Sequence, residues 1–259
     1  MNKKSLLYLG KERTLFIGKL EPLLMSQGAA TLCLSLGEPI SVRLIESNKE
    51  LYCTSVLIPP NCTLYIDSRS QLSANINLDV MGEDFYHLAK EMDVFEEAFF
   101  NIRDEYKYRR ALLDIFDAPL SLKKVQDKLS QLIKEQHTDS YFKEPRVQKA
   151  VDLIQGTIED NLSIDYLAKQ TNLSVSGLTK LFKKQTGVPI RRYRQWHRVF
   201  TTAAEIGKGK TLTEAALLAG FVDLPHCSHV FSSILGIKPS YFLHKSEQIQ
   251  IYVEGELDN

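Results

Sequence analysis

The chain has 259 residues, 44% apolar and 25% charged, which suits one large or two ordinary domains with real cores and excludes a disordered chain. The opening MNKKSLLYLG has too short an apolar run for a signal peptide, and no stretch approaches the roughly 20 apolar residues of a membrane helix, so a cytoplasmic protein with no membrane partner is expected. Its 32 basic and 32 acidic side chains cancel, but unevenly: 18 Lys and Arg face 20 Asp and Glu over 1–143, 14 face 8 over 144–245, and none face 4 over 246–259.

From residue 5 to 80 the chain reads as short strands: LYLG, TLFIGKL, ATLCLSLG, ISVRLIES, LYCTSVLIPP, CTLYIDS and SANINLDV, separated by Gly, Pro, Asn, Glu and Ser. A small β-barrel or sandwich over 1–83 is expected. The cysteines Cys33, Cys53, Cys62 and Cys227 form no CxxC pair and are expected to be buried free thiols, with no structural zinc. Inward positions of ATLCLSL and ISVRLI would line any pocket, with Arg43 a candidate for an anionic group and a surface arginine the commoner explanation.

After Gly82 the period becomes helical. DFYHLAKEMDVFEEAFFNI, DEYKYRRALLDIF and SLKKVQDKLSQLIKEQH are read as helices over 84–143, the last starting after Ser121. Its apolar stripe of Leu122, Val125, Leu129, Leu132 and Ile133 is either domain core or a dimer seam. The polar run HTDSYFKEP marks a boundary, and 144–245 reads as an all-α domain, followed by an acidic tail over 246–259. The overall expectation is an α+β chain.

Within the helical segment the sequence repeats. At an offset of 48, Ser163, Ala168, Asn172 and Leu173 correspond to Thr211, Ala216, Gly220 and Phe221. At 49, Leu181, Phe182, Gly187, Val188 and Tyr193 correspond to Val230, Phe231, Gly236, Ile237 and Phe242. The one-residue slip in a turn is what a duplicated helix-turn-helix unit shows. Ser163 and Ser174 are placed as N-caps in the first unit, and Thr211 with Glu214 as a capping box in the second. Arg191 to Ile206 is one helix joining them.

Residues 146–245 resemble the AraC-family DNA-binding domain, most specifically through LTEAALLAGFVDLPHCSHVFSSILGIKPSYF, with Ala216, Gly220, Phe221, Phe231, Gly236, Pro239 and Phe242 in the family's order. The β-rich start followed by helices is similar to that family's cupin-like sensing and dimerisation domain. The resemblance implies a homodimeric regulator binding promoter DNA, with a possible small-molecule effector, and contact with RNA polymerase if it activates.

The basic excess fits that reading. Residues 166–204 hold eight basic side chains and no acid, the footprint of a surface that neutralises phosphates or, more blandly, of a solvated helix face. In the first unit Leu178, Leu181 and Phe182 face inward, leaving Ser176, Thr179 and Lys180 as candidate base contacts, at positions the family uses. Lys183, Lys184, Arg191, Arg192, Arg194 and Arg198 are candidate phosphate contacts. The second unit departs from the family's basic pattern and relies on His226, Ser228 and His229, so its grip should be weaker. A competing reading, a cupin-like metal enzyme with a helical accessory domain, needs imidazoles in the barrel, and the first histidine is His87, beyond the last expected strand. No phosphate loop, nucleophile elbow or HExxH is present, so neither catalysis nor a cofactor is expected.

Overall fold

The structure, a computed structural model, describes residues 4–10, 12–20, 22–26, 28–134, 142–157, 162–235 and 249–253. Strands β1 (Ser5–Leu9), β2 (Arg13–Lys19), β3 (Leu23–Ser26), β4 (Ala30–Ser35), β5 (Ile40–Leu44), β6 (Glu50–Cys53), β7 (Ser55–Ile58), β8 (Thr63–Asp67) and β9 (Leu72–Leu78) build the N-terminal part. The LYCTSVLIPP run is two strands broken at Thr54, and they serve different sheets. The short β3 was not anticipated.

Next come α1 (Asp84–Lys90), a hairpin of β10 (Asp93–Phe95) and β11 (Ala98–Phe100), α2 (Glu105–Asp117) and α3 (Leu122–Lys134). The expected single helix over 84–102 is therefore corrected to one short helix and a hairpin. Pairing decides it: Phe99 and Phe100 sit opposite Leu57 and Val56 on β7, which buries Ala98 and Phe100, and Glu96 makes the turn with a φ of 51°. Edge pairing and burial outweigh a modest helical preference.

One sheet has eight strands in the order β10-β11-β7-β4-β9-β2-β1 with a last strand, β12 (Ile249–Val253), at its edge; the other has the order β3-β8-β5-β6. Because side chains alternate across a strand, the eight-stranded sheet feeds three cores. One face, with Leu6, Tyr8, Leu15, Ile17, Leu32, Leu34, Leu57 and Ile76, packs on α1, α2 and α3. The opposite face is divided. Around β4, β7 and β11 it meets the four-stranded sheet through Cys33, Val56, Ile58 and Phe100, against Val42, Leu44, Leu64 and Ile66. Around β1 it turns Leu7 and Leu9 into the core of the C-terminal helices. Between these areas Thr14, Asn77 and Thr31 form a hydrogen-bonded rung across three strands, with Asn77 Nδ2 donating to Thr14 Oγ1 at 2.9 Å and Thr31 Oγ1 donating to Asn77 Oδ1 at 2.7 Å.

The α3 stripe is spent inside the chain. Val125 and Leu129 are fully buried, Ile133 nearly so, and Leu122 and Leu132 pack against the same core, so this face is not available as the dimer seam. The sheet beneath supplies an apolar surface that the helix must cover. Arg13 anchors the layer: its guanidinium pairs with Asp84 at the start of α1, Nη2 to Oδ1 being 2.9 Å, and Nη1 donates to Ser130 Oγ on α3 at 2.9 Å. Its carbonyl accepts from Gln126 Nε2 at 3.1 Å. Arg43, by contrast, points outward from β5 over the Tyr65 ring, 4.7 Å to the centroid, so it is the surface arginine rather than a pocket residue. Cys33, Cys53 and Cys227 are buried and Cys62 half-buried, all as free thiols.

The C-terminal part holds α4 (Pro145–Gly156), α5 (Ile164–Gln170), α6 (Val175–Thr186), α7 (Ile190–Gly207), α8 (Leu212–Leu218) and α9 (Leu224–Leu235). Within the segment expected as an acidic tail, residues 249–253 form strand β12, paired in parallel with β1 from Ser5↔Ile249 to Leu9↔Val253, while its acidic residues Glu247, Glu254, Glu256 and Asp258 lie outside the described residues. IQIYV carries no charge, and the uncharged edge SLLYL offers it both backbone bonds and an apolar face.

Candidate nucleic-acid interface

The two units repeat in backbone detail. Helix α5 begins at Ser163, whose hydroxyl accepts from Tyr166 N–H; α8 begins at Thr211, which exchanges bonds with Glu214 in a full capping box. Both helices then stop in the same way. Asn172 and Gly220 adopt left-handed φ values of 54° and 75°, Leu173 N–H donates to Ala168 O at 2.9 Å, and Phe221 N–H donates to Ala216 O at 2.9 Å. Such a stop satisfies the last carbonyls and turns the chain sharply. Asn and Gly are the residues that tolerate it.

The second helix of each unit is capped alike. Ser174 Oγ accepts from Gly177 N–H at 3.1 Å, and Asp223 Oδ1 accepts from His226 N–H at 2.7 Å. Ser174 and Asp223 are 49 apart while the turns are 48 apart, so the extra residue is Val222, which is 85% exposed. The sequence reading located the slip but not the Asp223 cap. Inward, α5 and α6 contribute Leu167, Ala168, Leu178 and Phe182, and α8 and α9 contribute Ala215, Ala216, Cys227, Val230 and Phe231. Ala168 and Ala216 are small enough to let each helix pair cross closely.

Outward, α6 presents Ser176, Thr179, Lys180, Lys183 and Lys184, all exposed. Thr179 Oγ1 donates to Val175 O at 2.8 Å, which leaves its methyl and its lone pairs outward. Ser174 caps the positive end of this helix, and Gly187, at φ 78°, ends it. On α9, His226 and His229 are exposed and Ser228 is half-buried; the His226 ring stands edge-on to Phe221 at 5.6 Å. The second unit further exposes Leu217 and Leu218, where the first carries Lys169 and Gln170.

The six candidate phosphate contacts divide. Lys183, Lys184 and Arg191 are exposed, whereas Arg192, Arg194 and Arg198 are half-buried along α7. Desolvation holds all three guanidinium pKa values below their ordinary range, and Arg198 adds repulsion at Arg194. The cause is α7 itself, a helix buried on most of its circumference. Among the described residues, Arg194 Nη2 is buried without a hydrogen-bond partner. Sequence reasoning missed His197, whose ring stacks between Tyr193 and Phe200, 6.4 Å from each. Burial, opposed by a bond to the Gln155 backbone, pushes its pKa down to about 4. A lone histidine amid arginines gives no sequence signal for that.

Residues 167–245 match the family described as "Helix-turn-helix domain". Among characterised proteins, the HTH-type transcriptional regulator GbdR from two strains of Pseudomonas aeruginosa is 29% identical over 97 residues, 37% of this chain and 26% of GbdR. The chain thus spans about a quarter of the length of those relatives. Among solved structures, an apo variant of ToxT from Vibrio cholerae strain SCE256 superposes with a TM-score of 0.62 at 12% identity, covering 92% of this chain and 98% of that one. ToxT from strain O395 gives 0.61 at 11%, covering 91% and 98%. A third, wild-type ToxT with an unsaturated fatty acid bound, gives 0.59 at 13%, covering 90% and 95%. At these identities the likeness is one of fold, and it extends over both the sandwich and the helices.

Proposed function

We propose that this chain, which matches a helix-turn-helix domain at residues 167–245, is a sequence-specific DNA-binding transcription regulator of the AraC type acting on promoter DNA in the cytoplasm. The observation that carries the reading is the backbone-level repeat: two helix pairs with the same stop at Asn172 and Gly220, the first exposing Ser176, Thr179 and Lys180 on its second helix. A helix so presented fits the major groove, where its outward side chains meet base edges. Lys183 and Lys184 in its last turn and Arg191 in the first turn of α7 supply phosphate contacts, and the half-buried arginines of α7 add to the field.

The test is selection of bound duplexes from a random pool, repeated with Lys180→Ala and Lys184→Ala. Lys180→Ala is expected to relax preference at one or two positions, at a cost of about 1–3 kcal/mol, whereas Lys184→Ala weakens all sequences alike and lowers the salt slope by about 1. Equal effects from the two variants would remove this division of roles.

Among the described residues no helix is long and apolar enough to cross a membrane, and no cluster of three or more His, Cys, Asp and Glu is placed to hold a metal. We read the sandwich as a sensing domain, because the fold likeness to ToxT extends over it. The fatty acid named in the ToxT structure makes a small amphiphilic effector the first candidate. An unsaturated fatty acid that binds only the native chain raises its melting temperature by mass action; no rise across a series of chain lengths would assign the sandwich a packing role. A homodimer, which would pair half-sites and engage RNA polymerase at an activated promoter, needs a surface other than the α3 stripe.

A further inference from the structure

Strand β12 ties the two halves of the molecule together. Its alternate residues enter two cores: Ile249, Ile251 and Val253 join the core of the C-terminal helices, while Tyr252 stacks on Tyr8 at 4.3 Å against the α1–α3 core. On one side it pairs with β1, and on another it lies against the end of α7. There Gly207 admits it: a Cβ at that position would come within 2.8 Å of both Ile251 Cγ2 and Val253 Cγ1, branched side chains with little freedom to move aside. Further along α7, Gly28 of the β3–β4 turn closes on the same helix. A Cβ on Gly28 would lie 3.0 Å from Trp196 Cβ and 3.3 Å from the Arg192 carbonyl oxygen.

We propose that β12 is an intramolecular latch that holds the sensing domain on α7 and thereby restrains DNA binding. The occupant of the open β1 edge is this chain's own 249–253 segment. An uncharged five-residue edge such as SLLYL, with no proline or lysine to guard it, needs a cover, and IQIYV is one. With the latch shut, Gly28 covers Trp196 and the backbone of Arg192, and the Arg192 guanidinium is half-withdrawn from water. With it open, that arginine returns to solvent and the two helix pairs are free to adjust to a duplex. The coupling rests on the DNA-binding reading above.

Two variants of the full chain test it, Gly207→Ala and a truncation after residue 248. The alanine suits a helix, so it disturbs the strand's seat and not α7 itself. Hydrogen exchange at residues 5–9 reads the latch, and binding to one fixed selected duplex reads the consequence. Both variants are expected to exchange faster at 5–9 and to bind that duplex about fivefold or more tighter, the scale of an allosteric coupling. Faster exchange with unchanged or weaker binding would overturn the proposal, as would Gly207→Ala leaving exchange at 5–9 unaltered. Should the truncated chain aggregate through its bared edge, Gly207→Ala decides. Failure of every form to bind any duplex while exchange changes as expected would instead defeat the DNA-binding reading, and the restraint with it.

Discussion

Replacing Asp84 by alanine is expected to cost about 3–5 kcal/mol of folding stability, because it strands the Arg13 guanidinium in a site only 2% exposed. The pair is bidentate and reinforced by Ser130, so its removal also loosens α1 and α3 from β2. The double variant Arg13→Met with Asp84→Leu should recover most of the loss, since a buried pair of matched apolar groups needs no charge compensation. Urea unfolding of the full chain followed by far-ultraviolet circular dichroism measures both. A loss under about 1 kcal/mol for Asp84→Ala is what a hydrated surface pair would give, and it would contradict the placement of this pair in the layer between sheet and helices.

His197 makes stability depend on pH in a direction that burial dictates. The fold prefers the neutral ring, with its pKa near 4, while the unfolded chain protonates the same ring at the ordinary 6.5. Between those values the unfolded state carries more protons, so stability is complete above pH 6.5 and falls as pH drops toward 4. The slope approaches 1.4 kcal/mol per pH unit, for a total on the order of 3 kcal/mol. His197→Phe keeps the stack with Tyr193 and Phe200 and removes the titration. Melting curves at pH 7.5 and 5 should therefore converge for the variant relative to wild type. Carboxylates that titrate in the same window contribute to both proteins and cancel in the comparison. An equal loss in both would mean that the ring is already hydrated in the fold.

What could be read from residues alone follows from the range of the interactions concerned. Caps and stops are local: Ser163, Ser174 and Thr211 act within three residues, and Asn172 and Gly220 within five, so the duplicated unit and the outward set on α6 were legible. The alternation of the N-terminal strands was legible for the same reason. The hairpin of β10 and β11 was not, because DVFEEAFF becomes strand only through pairing with Leu57 and Val56, about 40 residues earlier. Nor was β12, whose partner β1 is at the opposite end of the chain. The α3 stripe was seen, but a stripe does not say whether its cover is the chain's own sheet or a second copy. Arg13 and Asp84, 71 residues apart, carry no pattern that would couple them.

The same limit applies within the interface. Exposure of Lys183, Lys184 and Arg191 follows from the outward face of α6 and the first turn of α7, whereas the half-burial of Arg192, Arg194 and Arg198 depends on what surrounds a central helix. The second unit shows a related asymmetry: it keeps the stop at Gly220 and gains an Asp223 cap, yet it presents His229 and Leu217 where the first presents Lys180 and Lys169. Its scaffold is preserved while its charge is not, which is why the first unit is expected to dominate recognition.

The spacing of preferred bases in the selected duplexes tests most directly whether the two helix pairs are both readers. Each bound chain should mark two segments about 10 base pairs apart on one face of the duplex, one helical turn of roughly 34 Å, with the segment that Lys180→Ala alters the stronger of the two. A single marked segment per chain, unchanged by substitutions at His226 and His229, would contradict a second reading unit.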